Sequence, residues 1–269
     1  MNLVLQPRMH HHIVGDESAT DWLYVLHGIF GAGRNWVSFA RNLVEVRPEW
    51  GVVLVDLRQH GRLRDFKPPH TLEACVHDLT DMADLIQWPP TAILGHSFGG
   101  KVALMATQAL SPSQVWVIDS TLSRRTAGGS AYRMLQILKR LPGPFGDRGE
   151  AVKSLQDEGL AADVAQWMVT NLKADARGYW WRFDLTDIES MLIDFFRQDL
   201  WDIVEDSHLS SEIHLVRATE SDVVPVAEME RLERANVNGL VWGHELRGGH
   251  WLHVDNPEGL QILLRDRLP

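Results

Sequence analysis

A serine stands at the centre of Gly95-His96-Ser97-Phe98-Gly99-Gly100, between the apolar run Thr91-Ala92-Ile93-Leu94 and a stretch that sets Val102, Met105, Ala106 and Ala109 at helical i, i+3, i+4, i+7 spacing. Strand, sharp turn and helix in that order hold the serine oxygen exposed at the tip of the turn, and the flanking glycines let strand and helix pass closely. Such an oxygen is placed for nucleophilic attack. A hydroxyl is a weak nucleophile, however, and needs a base, which in turn needs an orienting acid.

The chain offers both. His250, in Gly248-Gly249-His250-Trp251, comes after the last apolar strand pattern on a loop at the carboxyl edge of a sheet. With thirteen histidines a single one carries little information, and the Gly-Gly loop together with the sheet edge selects His250 over its neighbour His253. Two aspartates compete for the acid. Asp222, in Glu220-Ser221-Asp222-Val223-Val224-Pro225, is preferred; Asp119, at the end of another strand pattern, is the alternative, its structural reading being a strand-end residue that caps backbone amides. Asp56 is read as structural.

A tetrahedral intermediate also needs donors aimed at its oxyanion. His27-Gly28-Ile29-Phe30-Gly31 supplies a turn after an earlier strand. The backbone N–H groups of Ile29 (or, second choice, Phe30) and of Phe98, just after the nucleophile, are the candidate donors. The competing reading of His27-Gly28 is an ordinary strand-to-helix turn.

Alternating strand and helix patterns run along the chain, which predicts a mostly parallel sheet covered by helices on both faces. Residues 2–14 read as an opening pair of strands; Trp22–Leu26, Val52–Val55, Gln114–Ile118, Ile213–Ala218 and a run opening at Gly239–Trp242 read as further strands. Helices are expected over Asn35–Val46, after an N-cap at Thr71, and after Asn256-Pro257. Residues 122–206 break the rhythm, being largely helical with no convincing buried strand. They are read as a helical cap inserted after strand 6, leaving 1–121 and 207–269 as the core. Leu160, Val164, Trp167 and Met168 form one amphipathic face there, and the aromatic cluster Tyr179-Trp180-Trp181 with Phe183 is read equally as the roof of an apolar pocket or as glue between cap and core; Phe30, Trp180, Trp181 and Trp251 are the candidate pocket residues.

At 269 residues, 45% of them hydrophobic, the chain can bury a full core as one domain. Its single cysteine, Cys75, allows no internal disulfide and falls on a helix stripe that belongs in the core. A net charge of −10 argues against nucleic acid or an anionic membrane surface as partner. No apolar stretch of about 18 residues and no signal-peptide pattern is seen, so a cytoplasmic location is expected. His10-His11-His12 reads as a polar edge strand, because consecutive strand residues point to opposite faces and converge poorly on a metal.

These segments together resemble the α/β-hydrolase superfamily, and within it a branch of small ester hydrolases of bacteria and mitochondria. Leu26-His27-Gly28-Ile29-Phe30-Gly31 is similar to that branch's first turn, Asp56-Leu57-Arg58-Gln59-His60-Gly61 to its D-x-R-x-H-G segment, and Gly95–Lys101 to its elbow with a trailing lysine. Asn171-Leu172-Lys173 with Trp181-Arg182-Phe183-Asp184-Leu185 resembles its cap signature, and Gly249-His250-Trp251 its histidine loop. The resemblance implies an α/β-hydrolase fold and hydrolysis of small-molecule carboxylic esters or thioesters through an acyl-enzyme on Ser97, with no cofactor. The order Ser97, Asp222, His250 is that of the superfamily's triads, although some relatives lack an aspartate at the place of Asp222 and use the one at Asp119. Lys101 is expected to be structural or at the surface, and Arg58 and His60 to fix their loop rather than border the pocket. The same triad with another pocket also serves cofactor-free haloperoxidases, perhydrolases and carbon–carbon bond hydrolases, and a ligand-binding receptor with slow turnover is the non-enzymatic alternative. Dehalogenase and epoxide hydrolase chemistry are disfavoured, since both need a carboxylate where Ser97 stands.

Overall fold

A computed structural model describes residues 9–61, 66–236 and 238–269. The first part of the expected opening strand pair lies outside the described residues. Strand β1 (His11–Val14) forms one edge of the sheet, antiparallel to its neighbour, and carries two of the three consecutive histidines. The chain then alternates through β2 (Asp21–Leu26), α1 (Val37–Val46), β3 (Trp50–Val55), α2 (Leu72–Leu85), β4 (Ala92–His96), α3 (Phe98–Leu110) and β5 (Gln114–Ile118).

Local signals set several of these boundaries. Thr71 caps α2 as expected, its hydroxyl accepting from the Ala74 N–H, a bond worth about 1 kcal/mol. The crossover after β2 begins with a short 3-10 turn, Gly33–Trp36, before α1 proper.

Between β5 and the next sheet strand come α4 (Gly129–Arg140), α5 (Arg148–Asp157), α6 (Ala162–Met168), β6 (Leu172–Asp175), β7 (Gly178–Trp181), α7 (Leu185–Arg197) and α8 (Trp201–Val204). This stretch is mainly helical, but β6 and β7 pair as an antiparallel hairpin that the sequence pattern did not reveal. Both strands are only four residues long, β6 is largely exposed and β7 half-buried along its length, so neither shows the apolar alternation that marks a strand with one buried face. The chain returns through β8 (Glu212–Ala218), α9 (Val226–Ala235), β9 (Val241–Leu246), α10 (Leu252–Asp255) and α11 (Pro257–Arg267). Asn256 caps α11 through the Gly259 N–H, with proline at the first helical position.

The sheet order is β1-β3-β2-β4-β5-β8-β9, parallel throughout except for β1. Alternate strand residues feed two cores. Leu26, Val55, Ile93 and Val117 face α2 and α3, whereas Val25, Leu54, Leu94 and Ile118 face α1 and α11, which is why the strands read as unbroken apolar runs. Cys75 is fully buried in the first of these cores.

The chain runs from β2 outward to β3 and then crosses back to β4 on the other side of β2. That reversal opens a crevice at the carboxyl ends of β2 and β4, the place where open α/β sheets bind ligands. The ends of β5, β8 and β9 lie in line beside it. Among the described residues no helix is long and apolar enough to cross a membrane.

Candidate active site

Ser97 sits between β4 and α3 with φ 52° and ψ −116°, a conformation that costs a non-glycine residue about 1–3 kcal/mol. Its N–H donates to Ile118 O at 2.9 Å, tying the turn to the end of β5. The approach of helix to strand is so close that a Cβ on Gly95 would fall 2.0 Å from Gly99 O. Ser97 is half-buried between buried His96 and Phe98. Phe98 opens α3, so its N–H belongs to the first turn, where amides have no intrahelical acceptor.

The turn after β2 leans directly on this elbow. A Cβ on Gly28 would lie 2.9 Å from His96 Nδ1 and 3.3 Å from Ser97 Cβ, so only glycine admits the contact. The Gly31 N–H donates to Gly28 O at 2.9 Å and closes the turn, with Phe30 in the left-handed region at φ 63°. Phe30 N–H is already taken by His60 Nε2 at 3.1 Å. Ile29 N–H, on the turn that packs against Ser97, has no acceptor among the described residues.

Two buried histidines fix the turn to the segment after β3. His27 Nε2 accepts from Leu57 N–H at 3.0 Å, and its Nδ1 lies 2.8 Å from Gly28 O. His60 Nδ1 lies 2.8 Å from Arg58 O, so the proton is on Nδ1 and Nε2 is free to accept. Burial, and secondarily the neighbouring His27, push His60 down to about 3 and keep it neutral. Asp56 accepts from Gly33 N–H at 2.8 Å and pairs with His10, and Arg58 forms a buried ion pair with Asp78. Both Arg58 and His60 therefore hold their loop, as expected.

His250 Nδ1 is 2.8 Å from Asp119 Oδ2. Asp119 is fully buried, takes φ 43° at the end of β5, and has its other oxygen held by Ala218 N–H at 3.1 Å. The structure thus brings Asp119, the alternative acid of the sequence reading, to the imidazole, and does not bring the preferred Asp222 there. That residue lies four positions beyond the end of β8 on an exposed turn, and among the described residues its carboxylate has no hydrogen bond or ion pair. The loop of His250 is further anchored by His96 Nε2, 2.8 Å from His250 O. Burial first, and then the neighbouring histidines, hold His96 well below the ordinary imidazole range. Ser97 Oγ makes no hydrogen bond to His250 among the described residues.

The aromatic candidates divide. The Trp251 ring is 5.3 Å from Trp167 of α6 and 6.4 Å from the His250 ring, so it flanks the imidazole. The Phe30 ring packs 5.5 Å from Phe183, which stacks on buried Trp181. Trp181 donates to Leu141 O at 2.6 Å and is glue within the segment between β5 and β8. Trp180 is held in its own hairpin by Asp175 Oδ1 at 3.0 Å and by the Arg177 guanidinium over its ring. A groove bordered by Asn42, Val46, Pro257 and Ile262, and a depression behind the His250 loop bordered by Glu220, Arg247, Gly249 and Asp255, both lie off Ser97.

Residues 23–260 match the model of the alpha/beta hydrolase family. The chain belongs to that family. Within it, the chain is 26% identical over 252 residues to the sn-1-specific diacylglycerol lipase ABHD11 of Danio rerio, covering 87% of this chain and 74% of that protein. It is 36% identical over 93 residues to esterase YbfF of Escherichia coli (strain K12), 35% of each chain. A solved marine microorganism esterase shares the fold, with 20% identity, a TM-score of 0.82, and 96% of this chain and 98% of that one covered.

Two residues of this alpha/beta hydrolase sit at the site without having been read as part of it. Lys101, one turn after Ser97, is fully buried and donates to Ser123 O at 2.9 Å, Phe195 O at 3.1 Å and Gln198 O at 2.6 Å. It therefore ties α3, the helix that follows Ser97, to the end of α7, a structural role and not a surface one. Burial pushes it down to about 8. Asn171, just before β6, donates from Nδ2 to Phe30 O at 2.8 Å. Its only sequence signal was the resemblance of its segment to the cap signature. Among the described residues no three His, Cys, Asp or Glu side chains are grouped to hold a metal ion.

Proposed function

We infer that the chain is a carboxylic ester hydrolase that works through an acyl-enzyme on Ser97, with His250 as general base and Asp119 as the carboxylate that orients it. The observation that carries this is the bond from His250 Nδ1 to buried Asp119, beside a serine held in a strained elbow. With its Nδ1 proton engaged by Asp119, His250 presents Nε2 as the proton acceptor. Ser97 Oγ attacks the ester carbonyl carbon while its proton passes to His250 Nε2. The carbonyl oxygen becomes an oxyanion and accepts from Ile29 N–H and Phe98 N–H, donors that cost no reorganisation at the moment of reaction. The tetrahedral intermediate then expels the alcohol, which takes the proton from His250. Water, deprotonated by the same imidazole, attacks the acyl-enzyme and releases the acid.

Residues 122–206 act as a cap over this site, with Trp167 packed on Trp251, which stands beside the imidazole, and Phe183 packed on Phe30. The likeness to a diacylglycerol lipase puts acylglycerol esters beside simple ones among the substrates to try. The test is hydrolysis of p-nitrophenyl esters of graded acyl length and of diacylglycerol near pH 8 by wild type and Ser97→Ala. Activity lost in a folded Ser97→Ala protein is the expected result. A folded wild type that cleaves none of these esters, or a Ser97→Ala protein as active as wild type, overturns the reading.

A further inference from the structure

Phe30 is gripped at both ends of its backbone by residues from two different segments, one after β3 and one between β5 and β8. From the segment after β3, His60 Nε2 accepts its N–H at 3.1 Å; from the segment before β6, Asn171 Nδ2 donates to its C=O at 2.8 Å. The residue so held is 2% exposed and left-handed at φ 63°, a region that costs a side-chain-bearing residue about 1–2 kcal/mol. Such a conformation persists only where the surroundings over-determine it. It closes the Gly28–Gly31 turn, whose second residue, Ile29, carries the N–H that has no acceptor among the described residues.

Asn171 is itself fixed. Arg182 N–H donates to its carbonyl at 2.8 Å, the Arg148 guanidinium holds Val169 O and Leu172 O, and Arg34 Nη2 reaches Thr170 O at 2.8 Å. Asn171 is buried, so its amide and the Phe30 carbonyl have no water to turn to while the seam is closed.

We propose that Asn171 is a positioning residue that makes the oxyanion donors depend on the seating of the cap: seated, Asn171 and His60 together close the Phe30 turn and aim Ile29 N–H at the reacting oxygen; unseated, the turn loses its Asn171 anchor. This rests on Ile29 and Phe98 being the oxyanion donors. It differs from simple glue between cap and core in what it predicts. Glue would alter binding of long acyl chains that touch the cap, whereas a positioning role alters the chemical step for every ester, including one too small to need the cap.

The test compares wild type, Ser97→Ala, Asn171→Ala and the volume-keeping Asn171→Leu on p-nitrophenyl acetate and octanoate, with thermal melting of each. Misplacing a catalytic group by about 1 Å can cost up to about 100-fold, so kcat on acetate is expected to fall about 10- to 100-fold in both Asn171 variants with KM little changed. Affinity for a trifluoromethyl ketone, whose hemiketal oxyanion occupies the same hole, is expected to fall in parallel with kcat/KM. A folded Asn171 variant that keeps wild-type kcat on acetate, or loses only octanoate binding, overturns the proposal while Ser97-dependent activity stands. Asn171→Leu answers if the alanine variant melts below the assay temperature. Activity that survives Ser97→Ala overturns the site assignment and the proposal together.

Discussion

Asp119 Oδ2 lies 2.8 Å from His250 Nδ1, and the same carboxylate is pinned through its other oxygen by the Ala218 N–H of the adjacent strand. One buried side chain thus joins the ends of β5 and β8 to the loop after β9. In Asp119→Asn the side-chain amide can turn an N–H toward Nδ1 and favour the wrong imidazole tautomer. A loss of about a thousand- to ten-thousand-fold in kcat is expected, the scale seen when a triad aspartate becomes asparagine. Asp222→Asn, changed on an exposed turn, is expected to stay within about twofold of wild type. Steady-state kinetics on one ester decides between the two aspartates, and the reverse ranking would refute the assignment.

Lys101 makes stability pH-dependent in an unusual direction. Its pKa falls from an ordinary 10.5 to about 8 in the folded chain because burial disfavours the ammonium, with Glu228, Asp199 and Asp194 partly opposing and Arg125 reinforcing the shift. The unfolded chain therefore binds more protons between about pH 8 and 10.5, and the cost of burying the charge, complete below pH 8, is relieved as pH rises. Between pH 7.5 and 9.5 wild type should gain about 1–2 kcal/mol relative to Lys101→Met, read from urea midpoints at the two pH values. A constant difference between the two proteins would mean that Lys101 stays charged in the fold.

His60 acts at the acid end. Its folded pKa of about 3 lies below the ordinary 6.5, so the stability it contributes is present above pH 6.5 and lost as pH falls toward 3. Wild type should lose about 1–2 kcal/mol relative to His60→Gln on going from pH 7.5 to 5, since glutamine can still accept from Phe30 N–H but does not titrate. Parallel melting curves of the two proteins across that range would contradict a neutral His60.

Gly95→Ala tests the elbow. The added methyl carbon would meet Gly99 O at 2.0 Å, backbone against backbone, so no side chain can rotate to relieve it. Destabilisation beyond the about 1–3 kcal/mol of ordinary overpacking is expected, with loss of activity. A variant that folds with a wild-type melting temperature would show that strand and helix have room to part.

The sequence by itself determined whatever local rules govern. The Ser97 elbow, the His27–Gly31 turn, the Thr71 and Asn256 caps and the runs of the parallel strands come from spacing within a few residues, because turn sterics, capping and the pleat repeat over that distance. His250 was legible for the same reason, its glycine loop and place after the last strand being local facts. The tertiary structure alone decided the rest. Asp119 and Asp222 both come after strands, and their order along the chain does not say which carboxylate reaches the imidazole; the three-dimensional ends of β5 and β8 do, Asp119 turning inward at φ 43° while Asp222 stays on an exposed turn. Lys101 reads as either a structural or a surface residue until the end of α7 arrives to place carbonyls around it, and Asn171 meets Phe30 across 141 positions. Contacts of that range depend on how separately formed elements pack, and a pattern confined to one element carries no record of its distance to another.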